Sequence, residues 1–417
     1  MGSKFETISM IGMGYIGLPT AAVLASHGLR VVGVDVNQDI ADTINRGQIH
    51  IVEPDLEGLV QKVVSAGRLV VQTRPAPADA FIIAVPTPFK NGHQPDLAYI
   101  EAAAKSIAPV LRPGNLVILE STSPVGATGK LCAWLAESRP DLSFPPQAGE
   151  DAQIQLAYCP ERVLPGHIVR ELVENDRVIG GMTQRAAQQA ASLYRLFVRG
   201  ECFLTDCRTA EMVKLTENAF RDVNIAFANE LSLVCDHLHI NVWELIRLAN
   251  RHPRVNILQP GPGVGGHCIA VDPWFIVDSA PAQARLIRTA REVNDAKPHH
   301  VVEQIAAAAK SLEQPVIACL GLTFKANIDD LRESPALEIV RMLGERGLGK
   351  ILAVEPHIET LPTGLLENVK LGATETALAA ANIIVILVDH AQFKAIDWTQ
   401  HGGKTIIDTR GLLQGSH

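Results

Sequence analysis

The alternation of apolar and polar residues divides the chain into three blocks. In the first block, an apolar strand at 8–11 leads into a glycine-rich turn, a helical stretch and a second strand at 31–34. Two further apolar runs, within 80–88 and 115–124, are also predicted to be strands. Because these strands alternate with helical segments, the block is predicted to form a doubly wound parallel sheet.

The middle block, roughly 205–300, changes character. The stretch from 208 to 238 contains neither glycine nor proline, and its apolar residues recur with helical spacing, as at Met212, Leu215, Ala219 and Val223. This pattern predicts one helix much longer than the mean of about 11–12 residues in globular proteins. A long helix between two α/β blocks is typical of a spine and of a dimer interface.

The last block, about 310–417, is α/β again, with strand-like runs in "PVIACLGLTFK", "ILAVEP", "NIIVILVDH" and "KTIIDTRG". Its first strand lacks a three-glycine turn, so it resembles a nucleotide-binding half that holds phosphates differently. The predicted fold class is α/β, with two Rossmann-like doubly wound domains joined by a long central helix and a helical domain. The predicted boundaries are 1–204, 205–305 and 306–417.

Composition narrows the function classes. Of 417 residues, 47% are hydrophobic and 20% charged, which indicates a folded globular protein. The net charge of −8 argues against a nucleic-acid or anionic-membrane partner. No apolar run approaches the ~20 residues of a membrane span, and no charged-then-apolar leader is visible. Seven cysteines without a C-x-x-C pair suggest reduced thiols in a cytoplasmic protein, with no metal site.

The turn after the first strand carries the spacing G-x-G-x-x-G, formed by Gly12, Gly14 and Gly17, with Tyr15 and Ile16 between the last two. A strand precedes it, a helix follows, and the next strand ends at Asp35, which is the context of a dinucleotide-binding turn. The pyrophosphate would lie at the positive end of the helix. A carboxylate at Asp35 would bind the ribose hydroxyls and repel a 2′-phosphate, which favours NAD over NADP. The alternative is a glycine-rich turn with a helix-capping aspartate.

A second glycine-rich stretch, "QPGPGVGGHCIAVDP" at 259–273, ends in a cysteine. Most lone cysteines are buried structural residues, but Cys268 follows four closely spaced glycines and precedes Asp272. A nucleophilic thiolate needs an approachable face and nearby backbone N–H groups. The residues alone leave catalysis and packing about equally open for Cys268.

Three long motifs, "GPGVGGHCIAVDP", "KLTENAFRDVNIAFANEL" and "GLTFKANIDDLRESP", resemble the UDP-glucose/GDP-mannose dehydrogenase family, and "GGHCIAVDP" resembles its N-acetylhexosamine branch. The similarity extends from about residue 6 to about 410. It implies an NAD domain, a central helical homodimerisation domain and a C-terminal UDP-sugar domain. The implied reaction is a four-electron oxidation of the C6 alcohol of UDP-N-acetyl-D-mannosamine, with two NAD⁺, through a thioester on Cys268. For the thiol to reach C6, the sugar ring would lie flat against the loop backbone, and the glycines would make room for it because side chains would block that approach. UDP-GlcNAc and UDP-GalNAc remain alternative substrates, and a surface polysaccharide of the enterobacterial common antigen type is the implied destination.

The resemblance also implies roles for individual residues. Lys214 would stabilise the developing alkoxide, and Asn218 would orient that oxygen or a water; the alternative for this helix stripe, which continues to Arg221, is a solvated polar face. Asp272 and Thr122 would position water, and Glu161 would be the base for thioester hydrolysis, unless it is a surface acid before a turn. Thr87, at the carboxyl end of a strand, should meet the nicotinamide half. The remaining implied contacts are those of Thr122 and Arg332 with NAD and the substrate contacts of Arg162, Val163, Lys214, Asn218, Arg221, His252, Arg254, Gly265 and Lys325.

Two positions depart from the UDP-glucose members of the family. An acid that touches the cofactor there is Pro165 here, and the lysine before the aspartate is Val271. UDP-glucose is therefore a poor candidate substrate. Two other functions remain as alternatives. The first is a two-electron hydroxy-acid dehydrogenase, which would need neither Cys268 nor the third block. The second is a nucleotide-sensing protein without catalysis, which would not need the combination of Cys268, Lys214, Asn218 and Asp272.

Overall fold

The computed structural model describes residues 5–164, 166–266 and 268–415. The chain forms two compact units, Met1–Glu217 and Asn218–His417, whose boundary falls inside one long helix. Each unit contains its own sheet, parallel except for one strand pair in the first unit, with helices on both faces, as predicted for a doubly wound α/β protein. None of the described helices is long and apolar enough to cross a membrane.

The first unit contains an eight-stranded sheet in the order β10-β9-β8-β7-β4-β1-β2-β3. All neighbouring strands are parallel except β8 and β9. A two-residue antiparallel pair, β5 with β6, lies outside this sheet. The strands are β1 Thr7–Ile11, β2 Arg30–Val34, β3 Leu69–Gln72, β4 Ala80–Ile83, β5 Phe89–Lys90, β6 Gln94–Pro95, β7 Leu116–Leu119, β8 Gln155–Tyr158, β9 Arg177–Gly181 and β10 Cys202–Asp206.

Helices connect these strands across both faces of the sheet. The central strands β4 and β7 are apolar and buried along their whole length, which a parallel sheet covered on both faces requires. The helices are α1 Gly17–Ser26, α2 Gln38–Asn45, α3 Leu56–Ser65, α4 Ala98–Ile107, α5 Ala127–Ser138, α6 Pro145–Ala148, α7 Ile168–Glu174, α8 Gln184–Tyr194 and the 32-residue α9 Cys207–Leu238. The long helix predicted from the pattern is thus confirmed.

The second unit contains a five-stranded parallel sheet in the order β13-β12-β11-β14-β15. Its four predicted strand runs all form strands of this sheet. The strands are β11 Val316–Leu320, β12 Lys350–Val354, β13 Val369–Leu371, β14 Ile383–Ile386 and β15 Thr405–Asp408. The helices after α9 are α10 Val242–Ala249, α11 Asp272–Ser279, α12 Arg285–Ala309, α13 Pro335–Glu345, α14 Thr374–Ala380 and α15 Ala391–Lys394.

Within the second unit, a buried polar network joins α9 and α12. Arg291 of α12 forms an ion pair with Asp222 of α9 at 2.6 Å, and both side chains are buried. Asn229 of α9 donates to Asn294 at 2.9 Å and accepts from the backbone N–H of Gly261 at 2.8 Å. A buried charge needs a partner and hydrogen bonds to be tolerated. This network therefore fixes the start of the glycine-rich loop to two long helices.

Candidate active site

Sheet topology brings together five of the predicted site residues of the first unit. Glu161, Thr122, Thr87, Gly12 and Asp35 follow β8, β7, β4, β1 and β2, which are consecutive neighbours in the sheet. The carboxyl ends of parallel strands meet at one edge, where open α/β sheets bind their ligands. Residues distant in sequence thus line a single edge.

The turn after β1 has the geometry that a dinucleotide loop requires. Gly12 has φ +92°, and a Cβ there would lie 2.4 Å from the Ala84 carbonyl oxygen; a Cβ at Gly17 would lie 1.8 Å from the Gly12 oxygen. No atom lies within 4 Å of a Cβ built on Gly14. Two glycines therefore permit close packing of strand and helix, while the third faces open space at the start of α1, where backbone N–H groups attract phosphate.

Asp35 and Thr87 flank this turn. The Asp35 carboxylate accepts hydrogen bonds from the backbone N–H groups of Met13 at 3.0 Å and Asn37 at 3.0 Å, so it is fixed beside the loop. The Thr87 hydroxyl is buried and makes no hydrogen bond within the described residues. An unpaired buried hydroxyl is costly and suggests that a ligand supplies its partner.

Glu161 is buried rather than a surface acid. Its carboxylate accepts from the backbone N–H of Arg162 at 2.7 Å, and its Oε2 lies 2.8 Å from Nη1 of Arg177. The Arg162 guanidinium pairs with Glu217 of α9 at 2.7 Å. Glu217 lies three residues after Lys214, whose side chain is buried. Within this unit, the loop of Glu161 is therefore tied to the turn of α9 that carries Lys214.

In the second unit, Cys268 lies in the turn that immediately precedes α11. Its carbonyl accepts from the backbone N–H groups of Asp272 at 2.8 Å and Val271 at 3.1 Å. Cys268 is half-buried, whereas the other six cysteines are buried. Burial raises the pKa of the Cys132, Cys159 and Cys319 thiols to about 12, so these stay protonated and unreactive. Cys268 is thus the most accessible thiol of the chain, and its turn leads directly into the helix.

Asp272 is buried at the first position of α11 and accepts a short hydrogen bond, 2.5 Å, from the Asn218 side-chain amide. Asn218 lies on α9, one turn after Lys214. The polar stripe of α9 is therefore not a uniformly solvated face: Lys214 is buried, Asn218 half-buried and Arg221 exposed. The structure brings Asn218 together with Asp272, 54 residues apart in sequence.

The glycine loop packs against a segment that we define as the 324–335 segment. A Cβ at Gly265 would lie 2.4 Å from the Glu333 carbonyl oxygen and 2.8 Å from Phe324 Cβ, and one at Gly266 would lie 3.0 Å from the Phe324 ring. The backbone N–H of Gly266 donates to the Arg332 carbonyl at 3.2 Å. In the structure, these two glycines therefore make room for other parts of the protein, whereas the sequence suggested that the loop glycines make room for the sugar.

The 324–335 segment carries two of the predicted ligand contacts. Lys325 is exposed, and the Arg332 guanidinium is exposed and held by Asp330 at 2.6 Å. His252 and Arg254, after α10, are exposed as well, and His252 Nδ1 accepts from the Arg254 backbone N–H at 3.4 Å. Their roles toward a ligand stay predictions. Pro165, the departure noted above, lies outside the described residues.

A cluster of Glu355, His357 and His390 in the second unit places three metal-ligand atoms within 4.8 Å of one another. Two of the three side chains are engaged with protein: Glu355 Oε2 accepts from Leu322 N at 2.7 Å and lies 3.0 Å from His390 Nε2, whereas the buried His357 Nε2 makes no hydrogen bond within the described residues. His390 Nδ1 accepts from Asn327 N at 2.9 Å, so Nε2 carries the proton toward Glu355. The contacts of His390 with Glu355 and with Asn327 therefore anchor the loop that bears Lys325.

Sequence reasoning missed three charged residues around Glu161. Arg177 and Glu120 are buried beside it, and the Glu53 carboxylate accepts from the backbone N–H groups of Gly166 at 2.9 Å and Ile168 at 2.7 Å, which fixes the end of its loop. Of the three, only Glu120 could have been recognised in the sequence as a candidate site residue, because it directly follows an apolar strand. Arg177 and Glu53 are recognisable only once the strands and loops are assembled.

Fold and site define a pyridine-nucleotide dehydrogenase with a second, nucleotide-binding α/β half. Models of the UDP-glucose/GDP-mannose dehydrogenase family match the chain three times: the NAD binding domain at residues 6–198, the central domain at 208–296 and the UDP binding domain at 318–415. The chain belongs to the UDP-glucose/GDP-mannose dehydrogenase family, and it is an NAD-dependent oxidoreductase.

Individual relatives are similar over nearly the whole chain. The NDP-N-acetyl-D-galactosaminuronic acid dehydrogenase of Ralstonia solanacearum is 67% identical over 98% of this chain and 96% of its own. The UDP-N-acetyl-D-mannosamine dehydrogenase of Escherichia coli K12 is 61% identical over 98% and 99%. The solved structure of the UDP-D-ManNAc dehydrogenase of Pyrococcus horikoshii is 40% identical, with a TM-score of 0.87 over 97% of this chain and 96% of that one.

Proposed function

We propose that the protein oxidises the C6 alcohol of a nucleotide-linked N-acetylhexosamine, UDP-N-acetyl-D-mannosamine in the first place, to the uronate through a thioester on Cys268. The observation that carries this proposal is the Cys268 turn: an accessible thiol directly precedes α11, whose first residue, Asp272, is hydrogen-bonded to Asn218. In this proposal, residues 1–204 bind NAD, 205–305 form the central domain and 306–417 bind the UDP sugar.

The first oxidation needs a base-assisted loss of the alcohol proton and a hydride acceptor. Bound NAD⁺ supplies the acceptor, and the open face of Gly14, the fixed Asp35 and the unpaired Thr87 hydroxyl suit its binding. Lys214 stabilises the charge that develops on the C6 oxygen, and Asn218 orients that oxygen. Thr122 and Asp272 hold the water that accepts the proton.

The second oxidation explains the need for a thiol. An aldehyde has no tetrahedral, hydroxyl-bearing carbon from which a second hydride can leave. The Cys268 thiolate therefore adds to the aldehyde and forms a thiohemiacetal. Loss of hydride from C6 and of the hydroxyl proton turns this adduct into a thioester. Glu161 then takes a proton from water, the hydroxide attacks the carbonyl, and the C–S bond breaks to release the Cys268 thiolate and the carboxylic acid, which loses its proton to solvent water.

The configuration of the substrate's sugar distinguishes three candidate N-acetylhexosamines. The galactosaminuronic acid relative, at 67% identity, favours UDP-N-acetyl-D-galactosamine as a second candidate, beside the mannosamine relatives at 61–62%. UDP-N-acetyl-D-glucosamine is the third. A uronate product with an acetamido group suits surface-polysaccharide synthesis, for which enterobacterial common antigen is the example we propose.

Measuring NADH formation with UDP-ManNAc, UDP-GalNAc, UDP-GlcNAc and UDP-glucose tests this function. We expect two NADH for each sugar consumed and the highest kcat/KM with UDP-ManNAc, with UDP-glucose at least about tenfold lower because it lacks the acetamido contacts. A higher kcat/KM with UDP-GalNAc would identify UDP-GalNAc as the preferred substrate and leave the proposed reaction unchanged. One NADH per sugar would contradict the four-electron reaction.

The partner that we propose is a second copy of the chain, bound through α9. Phe220, Phe227 and Val234 recur every seven residues along one face of this helix and expose 70%, 51% and 46% of their surface. Exposed apolar residues at this seven-residue spacing on a helix, here called the apolar stripe, are typical of a helix-to-helix interface.

Replacing Phe227 by glutamate should convert a dimer into a monomer in light scattering. A charge in the middle of the apolar stripe would have to be buried without a partner, which costs several kcal/mol. Leu366→Glu, at an exposed apolar residue distant in sequence from this stripe, is the matched control and should leave the mass unchanged. A Phe227→Glu protein that remains dimeric would place the interface elsewhere.

A further inference from the structure

Behind Glu161 lies a buried group of charged side chains that the mechanism above does not use. Arg177, at the start of β9, exposes 2% of its side chain and sits between two carboxylates: its Nη1 is 2.8 Å from Glu161 Oε2 and 3.8 Å from Glu120 Oε1. The Tyr194 hydroxyl of α8 donates to Glu120 Oε1 at 3.1 Å. One cation thus faces two carboxylates in a site away from water.

Charge balance decides the protonation of this group. Two ionised carboxylates with a single guanidinium would leave one uncompensated negative charge in a buried site, which is strongly unfavourable. The other titratable neighbours add no positive charge: burial raises the pKa of Cys159 to about 12 and raises that of Tyr194, so both are neutral. A single proton on one carboxylate makes the group neutral.

The geometry assigns that proton to Glu120. Glu161 has the closer contact with Arg177 and also accepts from the Arg162 backbone N–H. Glu120 Oε2 is buried, meets no protein donor or acceptor at full hydrogen-bond geometry within the described residues, and has the Thr20 hydroxyl of α1 as its polar neighbour. A proton on Oε2 would allow Glu120 to donate to that hydroxyl. Consistently, burial, together with the charge of Glu161, raises the pKa of Glu120 to about 8.

We propose that Arg177 and Glu120 are positioning residues for Glu161, and that Glu120 holds one proton so that Arg177 forms an ion pair with the Glu161 carboxylate alone. This inference rests on the proposed role of Glu161 in hydrolysing the Cys268 thioester. When Glu120 loses its proton, the Arg177 guanidinium is shared between two anions and Glu161 is held less firmly. Hydrolysis, and not the preceding hydride transfers, is then the step that slows.

The test follows the thioester on the full-length enzyme, mixed with NAD⁺ and UDP-ManNAc or the preferred epimer, by rapid quenching and mass spectrometry of the Cys268 peptide. Glu161→Gln should accumulate the acyl adduct. Arg177→Gln should accumulate it as well, at least about tenfold above wild type, with an undiminished first burst of NADH. Arg291→Gln removes a comparably buried ion pair, with Asp222, in the network that holds the start of the glycine-rich loop, so it should lower stability and slow the NADH burst without accumulating the adduct.

The Glu120→Gln variant keeps the shape of the side chain but cannot ionise. Its pH dependence therefore tests the proton on Glu120, because a purely structural role of this residue would not change with pH. Above pH 8, hydrolysis by the wild type should fall several-fold, whereas Glu120→Gln should show no such decline. Thermal unfolding gives a second readout. Folded Glu120 keeps its proton to about pH 8, while the unfolded carboxyl ionises near 4.5, so raising the pH across this interval destabilises the wild type through Glu120 and has no such effect at this position in the variant. The melting temperature of Glu120→Gln should therefore rise relative to wild type by several degrees between pH 5 and 8.

The outcomes separate this inference from the proposed function. If Glu161→Gln shows no adduct on Cys268, the thioester route fails and the inference fails with it. If Glu161→Gln accumulates the adduct but Arg177→Gln does not, or if Arg291→Gln accumulates as much as Arg177→Gln, only the inference is overturned. It is also overturned if Glu120→Gln and wild type share the same pH profile of hydrolysis and the same pH dependence of melting temperature.

Discussion

Replacing Cys268 by alanine is expected to lower carboxylate formation by at least about 10³-fold, since no covalent adduct can form from which the second hydride leaves. The first oxidation does not need the thiol, so the variant should yield aldehyde and at most one NADH per sugar. Binding of NAD and of the UDP sugar, followed by calorimetry, should stay within a few-fold of wild type. Cys268 is half-buried, and the helix-starting turn is formed by its backbone carbonyl, which alanine retains, so folding should be preserved.

A matched control is Cys319→Ala in β11. This thiol belongs to the same unit but is fully buried among apolar residues, so its loss should lower the free energy of unfolding by about 1 kcal/mol without changing the product. Quantifying aldehyde and uronate by mass spectrometry distinguishes the two variants. Undiminished uronate from Cys268→Ala would refute the thioester route.

Replacing Gly265 by alanine is expected to have the second largest effect, through packing. The added Cβ would lie 2.4 Å from the Glu333 carbonyl oxygen and 2.8 Å from both Phe324 Cβ and Pro335 Cδ, so the loop and the 324–335 segment must separate. Backbone cannot yield as the end of a flexible side chain can. We expect a loss of about 1–3 kcal/mol in the free energy of unfolding and at least about a tenfold loss in kcat, because Cys268 lies only three residues further on.

Thermal unfolding without ligands and steady-state kinetics check this prediction. Gly403→Ala is the control, since no atom lies within 4 Å of its added Cβ, and it should behave as wild type. A Gly265→Ala protein with unchanged stability and only a raised KM would favour the alternative that the sequence suggested, in which the glycine makes room for the sugar.

Much of the fold was predictable because its signals are local. The central strands are continuous apolar runs, the glycine turn after β1 needs a positive φ at Gly12, and the long helix shows 3.6-residue periodicity without a helix breaker. The interest of Cys268 was likewise readable, because four glycines beside a thiol are unusual in a core. Each of these features depends on residues within one or two turns of the chain.

The environment of the site residues was less predictable because it depends on long-range contacts. The sequence left Glu161 as either a base or a surface acid; burial against Arg177 excludes the surface position. The glycines of the Cys268 loop suggested an approaching sugar, and the close contacts of Gly265 and Gly266 with Phe324 and Glu333 could not be read from the sequence. Neither Arg177 nor Phe324 shares a local motif with the residue that it contacts.

The sequence by itself determined two doubly wound sheets, a dinucleotide turn, a long central helix and a candidate thiol, since periodicity and glycine spacing act over short stretches of chain. Only the tertiary structure decided that five strand ends meet along one edge, that Asn218 meets Asp272, and that one buried arginine stands between Glu120 and Glu161. The physical reason is that burial and charge balance are properties of the assembled interior, where residues far apart in sequence share the same desolvated space.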